Sequence, residues 1–216
     1  MKFQMSLLLL LAIGALTACS NAQQPSTVET TVSRPAQKIL IVYLSRTSNT
    51  KAVAEMIHEE VGGTLVPLEL DKPYPEDYKA TVEQVAKENE TGFLPPLRTE
   101  IQGIEQYDIV FVGFPTWGMQ LPPPMKSFLK QYDLKGKTVI PFNTNAGYGL
   151  GSSLTTVKQL SPQSTVLEGF TTTGGIERDG VLLAIKGERA SQVRAEVRAW
   201  LQRIKVPQSK EKNDEK

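Results

Sequence analysis

The chain has 216 residues, of which 40% are hydrophobic and 22% charged, which is the composition of an ordinary globular protein of about one domain. Its formal net charge is +1 and its acidic and basic residues are interspersed, which excludes the basic stripe of a nucleic-acid-binding protein. A single cysteine and a single histidine exclude an intramolecular disulfide and disfavour a metal centre built from Cys and His ligands.

Residues 1–18 have the features of an export signal. Lys2 precedes an apolar run at 5–16 that is too short to span a bilayer as a stable helix but suits the hydrophobic part of a secretory signal. The segment Leu16-Thr17-Ala18-Cys19 resembles the lipobox of bacterial lipoproteins, in which cleavage leaves the cysteine as the lipid-bearing N-terminus. The resemblance implies lipidation of Cys19 and durable membrane anchoring, whereas the alternative is an ordinary signal peptide with a chance cysteine. Ser20 in place of Asp implies the outer rather than the inner membrane of a bacterial envelope.

Two polar segments flank the region that can fold. Residues 19–37 are rich in Ser, Thr, Gln and Pro, and they contain too few large apolar residues to bury a core, so we expect a disordered tether after the lipidated cysteine. Residues 207–216 form a charged tail that we also expect to be disordered. The remaining residues, 38–206, are predicted to form one domain.

Within 38–206, short apolar runs alternate with helical patterns. The run KILIVYL at 38–44 is typical of a strand buried on both faces, and residues 49–61 place Val53, Ile57 and Val61 on one helical stripe. Further strands are predicted at 64–68, 109–113, 138–142 and 165–170, and further helices at 75–90, 122–132, 151–160 and 188–204. This alternation predicts a parallel sheet covered by helices on both sides, with ligands bound beyond the carboxyl ends of the strands.

The loop between the first strand and the first helix predicts an anion site. It offers four hydroxyl groups and an amide where the backbone N–H groups and the dipole of a helix N-terminus converge, an arrangement that suits a phosphate. The alternative is a simple helix cap, but a cap needs only one such residue. The candidate residues are Ser45, Arg46, Thr47, Ser48, Asn49 and Thr50.

The loop after the third strand, residues 114–124, predicts a contact with a planar ligand. A tryptophan on a proline-stiffened loop is placed to stack on a flat ring, and the adjacent glycine allows a peptide to turn over. The alternative is that Trp117 only closes the edge of the core. The candidate residues are Pro115, Thr116, Trp117 and Gly118.

The loop after the fourth strand, residues 143–151, is rich in glycine. Its backbone can approach the edge of a flat ring and donate N–H groups to ring carbonyls, while its tyrosine can stack on the ring. The alternative is a flexible turn. The candidate residues are Asn143, Thr144, Asn145, Gly147, Tyr148 and Gly149.

The order of residues at 45–50 resembles the phosphate loop of flavodoxins, which is a hydroxyl residue, any residue, Thr, Gly, Asn and Thr, with Ser48 at the position of the usual glycine. The resemblance covers about 38–204, and Pro73-Tyr74-Pro75 is similar to a segment that marks one flavodoxin-like subfamily. It implies an α/β fold in three layers, with a doubly wound, five-stranded parallel sheet in the order 2-1-3-4-5. The chain from the Pro-Tyr-Pro segment through residue 97 is longer than in minimal flavodoxins. It could cover the ligand or contact a partner, or it is simply a longer crossover.

The same resemblance implies the cofactor FMN. Its phosphate would lie on residues 45–50 and its ring between Trp117 and Tyr148, while a loop peptide at Gly118 would contact a ring nitrogen. The turn after the fifth strand, which contains Arg178 and Asp179, is either a partner-facing loop or a plain turn, and we expect the turn.

Three functions remain open from the sequence. The first is electron transfer, or flavin-dependent oxidoreduction, with a redox partner protein or a membrane electron donor. The second is an NAD(P)H-dependent quinone or flavin reductase, which export disfavours because nicotinamide cofactors are scarce outside the cytoplasm. The third is a flavin-free, membrane-tethered binding module, for which Ser48 in place of glycine is the only support. No metal is expected in any of them.

Overall fold

A computed structural model describes residues 37–207. The predicted export signal, Cys19, nearly all of the tether and the tail from residue 208 lie outside the described residues. The elements, in chain order, are β1 Ile39–Tyr43, α1 Asn49–Val61, β2 Thr64–Pro67, α2 Tyr78–Thr91, β3 Ile109–Pro115, α3 Pro123–Gln131, β4 Thr138–Asn145, α4 Ser153–Leu160, β5 Thr165–Val166, β6 Phe170–Thr173 and α5 Gly187–Arg203. Short 3-10 helices are formed by Ile104–Gln106 and Glu177–Asp179.

All strand pairs of the sheet are parallel, in the order β2-β1-β3-β4-β5, and β6 also pairs with β4. The order reverses between β1 and β3, because the connection after β1 leads to β2 on one side of the sheet and the connection after β3 leads to β4 on the other. The predicted fold class and strand order are therefore confirmed.

The helices cover both faces of the sheet. Alternate residues of β1, such as Ile39 and Ile41, pack with α1 and α5 in one core, which includes the fully buried Trp200. The residues between them, such as Leu40 and Val42, pack with α3 and α4 in the other core. A strand buried on both faces is apolar throughout, which explains the continuous run in β1. No helix within residues 37–207 combines the length and the apolar composition needed to cross a membrane.

The predicted fifth strand, 165–170, is divided into β5 and β6. Between β5 and β6, the three residues 167–169 lie opposite only two residues of β4, Ile140 and Pro141. The outer strand therefore carries one extra residue. The carbonyls of Lys137 and Val139 accept hydrogen bonds from the N–H groups of Thr165 and Leu167, so the amide position of Pro141, two residues farther on, faces the same side. Proline has no N–H to donate there, and a bulge is the usual way to pass such a gap.

Several predicted boundaries were wrong. The second helix begins at Tyr78 rather than at residue 75, because the Asp77 carboxylate accepts a hydrogen bond from the Ala80 N–H (2.8 Å) and caps the helix there. β3 and β4 run on to residues 115 and 145, since they pair along their whole length. Asn143 and Thr144, predicted in a loop, are therefore buried strand residues.

Candidate functional site

A cavity of about 520 Å³ opens beyond the carboxyl ends of β1, β3 and β4, at the reversal of strand order. Its volume lies within the usual range for small-molecule sites, and this is where a doubly wound sheet binds ligands. Of the sixteen residues predicted for the cofactor site, the cavity is lined by Arg46, Thr47, Asn49, Thr50, Pro115, Thr116, Trp117, Gly118, Thr144 and Asn145. Ser45, Ser48, Asn143, Gly147, Tyr148 and Gly149 are not among the lining residues.

The N-terminus of α1 presents unpaired donors at one end of the cavity. Within the described residues, the backbone N–H groups of residues 47–50 donate to no protein acceptor, as expected for the first turn of a helix. Ser48 adopts a left-handed conformation (φ 64°) and caps α1 without a side-chain hydrogen bond. The loop thus has, at Ser48, the backbone conformation that glycine adopts most readily. These N–H groups and the helix dipole favour an anion at this point.

Arg46 joins three segments around the cavity. Its Nε donates to both carboxylate oxygens of Glu177 (2.7 and 3.0 Å), and its two terminal nitrogens donate to the carbonyls of Pro75 and Glu76 (2.9 and 2.7 Å). The guanidinium thereby links the α1 loop, the Pro-Tyr-Pro segment and the short hairpin in which Ile176 and Val181 form an antiparallel bridge. With its donors engaged in this way, we assign Arg46 to holding the walls of the cavity in place.

The side chains of Asn49 and Thr50 stabilise the α1 loop from within. Asn49 is buried, donates to the carbonyl of Leu182 (2.6 Å) and accepts from the N–H groups of Ala184 and Ile185 (2.9 and 3.1 Å). The hydroxyl of Thr50 is paired with the hydroxyl of Thr144 (2.9 Å). What these two residues offer a ligand is therefore mainly their backbone N–H groups.

Trp117 stands at the start of a tight turn. The backbones of Trp117 and Gln120 exchange two hydrogen bonds (3.3 and 3.0 Å), and the two residues between them, Gly118 and Met119, both have positive φ (55° and 59°), as in a type I′ turn. The half-buried indole packs on the apolar core and also lines the cavity. Trp117 therefore closes the core edge and faces the ligand site at the same time.

The Pro-Tyr-Pro segment fixes α2 against this indole. The ring of Tyr74 meets Trp117 edge-on, with centroids 5.3 Å apart, and its hydroxyl donates to the buried Glu88 carboxylate of α2 (2.5 Å). Burial, followed by this hydrogen bond, raises the pKa of Tyr74 well above its ordinary value. The hydroxyl of Thr81 donates to the Pro75 carbonyl (2.8 Å). The long crossover thus forms a wall of the cavity.

The loop after β4 is ordered by Asn145. Its side-chain oxygen accepts from the N–H groups of Gly147 and Gly149 (2.9 and 3.1 Å), and Thr116 donates to the Gly149 carbonyl (2.9 Å). These contacts tie the loops after β3 and β4 together. The two glycine N–H groups are thereby used within the protein, so they are not free to bind ring carbonyls.

Tyr148 does not form the predicted sandwich with Trp117. Its side chain is 64% exposed and lies beside Arg178, whose pKa is raised first by Asp179 and then by Tyr148. Arg178 and Asp179 themselves lie in the turn that the sequence predicted.

The sequence left open whether the stretch through residue 97 covers the ligand, and it identified no individual lining residue in that stretch or in the hairpin that contains Glu177. A signal for the individual residues is the apolar stripe at helical spacing on α2, where Tyr78 and Val82 stay exposed and line the cavity instead of packing in a core. The lining residues that were missed are Tyr78, Thr81, Val82, Val85, Ala86, Asn89, Glu90, Gln120, Ala146, Gly174, Gly175 and Glu177.

Comparison with known families agrees with this geometry. A family profile described as flavodoxin matches residues 38–185. The chain belongs to the flavodoxin family. Comparison of this flavodoxin-family chain with curated protein sequences gives no match.

Solved structures of flavoproteins share the fold. A protein from Bacteroides eggerthii, assigned as a flavoprotein, is 30% identical, with a TM-score of 0.64 over 79% of this chain and 99% of its own. A similarly assigned protein from Bacteroides uniformis is 23% identical, with a TM-score of 0.63 over 78% and 99%. A flavoprotein from Lactobacillus acidophilus, crystallised in complex with FMN, is 22% identical, with a TM-score of 0.57 over 63% and 93%.

Proposed function

We propose that this flavodoxin-family chain binds FMN and acts in electron transfer or as an FMN-dependent oxidoreductase. The observation that carries the proposal is the cavity at the reversal of strand order, where unpaired N–H groups of residues 47–50 meet a wall formed by Trp117. Family membership and the L. acidophilus flavoprotein crystallised with FMN support the choice of cofactor.

The α1 loop can hold the FMN phosphate without contributing an unpaired positive charge. The N–H groups of 47–50 and the hydroxyl of Thr47 are donors suited to phosphate oxygens, and the dipole of α1 favours negative charge there. Glu177 pairs with Arg46 and so neutralises the positive charge that this arginine brings to the loop. The loop therefore binds a phosphate through dipoles rather than through an ion pair.

The part of the cavity lined by Trp117 and α2 supplies a flat apolar surface for the flavin ring. The indole of Trp117 is held by Tyr74, and the cavity-facing side of α2 adds Tyr78 and Val82. When bound, FMN supplies the capacity to take up and release one or two electrons. The protein orients the ring, excludes water from one side of it and, through its dipoles, influences its reduction potential.

The cellular setting of the proposal comes from the sequence. The lipobox-like segment ending at Cys19 supports export and lipid anchoring to a bacterial envelope, with the outer membrane favoured by Ser20. A domain held there would receive electrons from a membrane donor or a redox partner protein. Replacing Cys19 with serine should move the protein from the membrane fraction to the soluble fraction, whereas unchanged fractionation would refute the anchor.

The visible absorption spectrum of the purified chain, taken after incubation with FMN and removal of the excess, tests the cofactor. We expect a flavin band that stays with the protein. Thr47→Glu places a carboxylate among the phosphate donors, so we expect the FMN dissociation constant to rise at least about tenfold, a change of about 1.4 kcal/mol.

Thr47→Gln is the matched control, because it has the same size without the charge, and it should retain most of the FMN affinity. Riboflavin, which lacks the phosphate, should bind both variants with similar affinity. A wild-type protein that stays colourless would overturn the proposed function.

A further inference from the structure

A lysine between α2 and α3 organises the end of the cavity away from the phosphate loop. Lys126 of α3 donates from its ammonium to the side-chain oxygen of Asn89 on α2 (2.8 Å) and to that of Gln120 in the turn after β3 (3.3 Å). Burial lowers the pKa of Lys126. Asn89 and Gln120 both line the cavity.

The lysine determines which way the two amides are turned. An ammonium can only donate hydrogen bonds, so the amide groups of Asn89 and Gln120 must direct their oxygens toward Lys126. Within residues 37–207, the side-chain nitrogens of these two amides donate to no acceptor. Two NH₂ groups at one end of a ligand cavity therefore remain available to an acceptor on a ligand.

This pair is well separated from the phosphate loop. Arg46 of that loop is bonded to the carbonyl of Glu76, two residues before α2 begins. Asn89 lies eleven residues beyond Tyr78, the first residue of α2, and the helical rise places it about 16 Å farther along the helix axis. The cavity face between the two ends carries Val82, Val85 and Ala86. Apart from Thr81, the α2 wall of the cavity is thus apolar between two separate sets of polar groups.

The negative charge of Glu90 determines which kind of ligand acceptor can bind beside Asn89. Glu90 lines the cavity beside Asn89, and its carboxylate disfavours a second anionic group. A neutral carbonyl oxygen on a flat apolar ring matches the amide donors and the apolar stretch of the α2 wall.

We propose that Asn89 and Gln120, oriented by Lys126, form a subsite that recognises carbonyl oxygens of a planar ring. Two sources share this chemistry: the pyrimidine carbonyls of the flavin itself, and a quinone-type compound bound in addition to the flavin. The first source rests on the proposed function, whereas the donor pair itself does not.

The test exchanges donors for acceptors while keeping the contacts to the lysine. In the double variant Asn89→Asp/Gln120→Glu, an oxygen still faces Lys126, but each NH₂ group is replaced by a carboxylate oxygen that repels a carbonyl. Gln163→Glu is the control for each amide-to-carboxylate exchange, because it adds one negative charge, as each single variant does, on an exposed loop side chain outside the cavity. Circular dichroism checks the fold, and the single variants Asn89→Asp and Gln120→Glu replace the double variant if it does not fold.

Two affinities are measured on the full chain: FMN by quenching of its fluorescence, and 1,4-naphthoquinone by calorimetry, with and without saturating FMN. If the flavin is the source, the double variant raises the dissociation constants of FMN and riboflavin alike, by about tenfold or more. If a quinone is the source, FMN affinity stays within twofold and naphthoquinone affinity falls by about tenfold or more. Gln163→Glu should leave both affinities unchanged.

The outcomes separate this subsite from the proposed function. Wild-type affinities that persist within twofold in the double variant would overturn the subsite, even if FMN binds. Donor-dependent naphthoquinone binding by a chain that does not bind FMN would overturn the proposed function and leave the subsite standing. A wild-type chain that binds neither compound would overturn both.

Discussion

Replacing Arg46 should destabilise the protein without directly weakening a phosphate contact. Its guanidinium makes four hydrogen bonds, two of them to Glu177, and the two side chains are only 18% and 20% exposed. Arg46→Ala removes these bonds and leaves a carboxylate that is mostly shielded from water without its partner. Glu177→Gln removes the charge and keeps the shape of the side chain.

The magnitude follows from the partial burial of the pair. A hydrogen bond to a charged group contributes about 1.5–3 kcal/mol, and an exposed ion pair contributes much less, so this pair lies between those limits. Adding the two carbonyl contacts, we expect Arg46→Ala to lower the free energy of unfolding by about 2–4 kcal/mol. In a double-mutant cycle with Glu177→Gln, the coupling energy should be about 1–2 kcal/mol, since the two residues are in direct contact.

Urea unfolding followed by circular dichroism measures both quantities in FMN-free protein. Arg46→Lys is the control, because it keeps the charge but cannot reproduce the fork of donors, and we expect it to recover only part of the loss. The reasoning is refuted if Arg46→Ala changes stability by less than about 0.5 kcal/mol, the usual range for a surface substitution, with no coupling to Glu177. A large loss of FMN affinity with unchanged stability would identify Arg46 instead as a phosphate ligand.

Three further substitutions test the local structure by the same unfolding assay. Ser48→Gly should raise stability by about 1 kcal/mol, because a left-handed conformation is strained for serine and free for glycine; a decrease would contradict this. Gly113→Ala should cost about 1–3 kcal/mol, since its Cβ would enter the ring of Phe142 on the paired strand, and a neutral effect would argue against this packing. Tyr74→Phe should cost about 2 kcal/mol by leaving the buried Glu88 carboxylate without its hydroxyl donor, and an unchanged midpoint would rule out that bond.

The architecture and one end of the site were predictable because they depend on local patterns. Continuous apolar strands and amphipathic helices define a parallel sheet covered on both faces, and the hydroxyl-rich loop at 45–50 leads directly into the first turn of α1. The resemblance to flavodoxins then supplied the strand order. The break at Pro141 was missed, although proline in an inner strand is a readable signal of it.

The rest of the site depends on pairs that are distant in the sequence. Arg46 and Glu177 are 131 residues apart, and only the folded chain shows that this arginine is bonded to protein groups. Asn49 looks like a cofactor ligand in the sequence, but its side chain is used by the segment at 182–185. Tyr148 is largely exposed beside Arg178 and does not line the cavity, and neither composition nor spacing encodes that placement.

The bulge opposite Pro141 also bears on how molecules of this protein meet one another. An uninterrupted outer strand exposes a row of N–H and C=O groups that can pair with a second molecule, the first step of aggregation. Here one outer edge is broken into β5, with two residues, and β6, with four. At the other edge, β2 ends at Pro67, whose carbonyl accepts a hydrogen bond from the Thr99 hydroxyl (2.9 Å). Neither edge offers a long regular template, so we expect the folded protein to stay free of edge-to-edge association even when many copies are crowded on one surface.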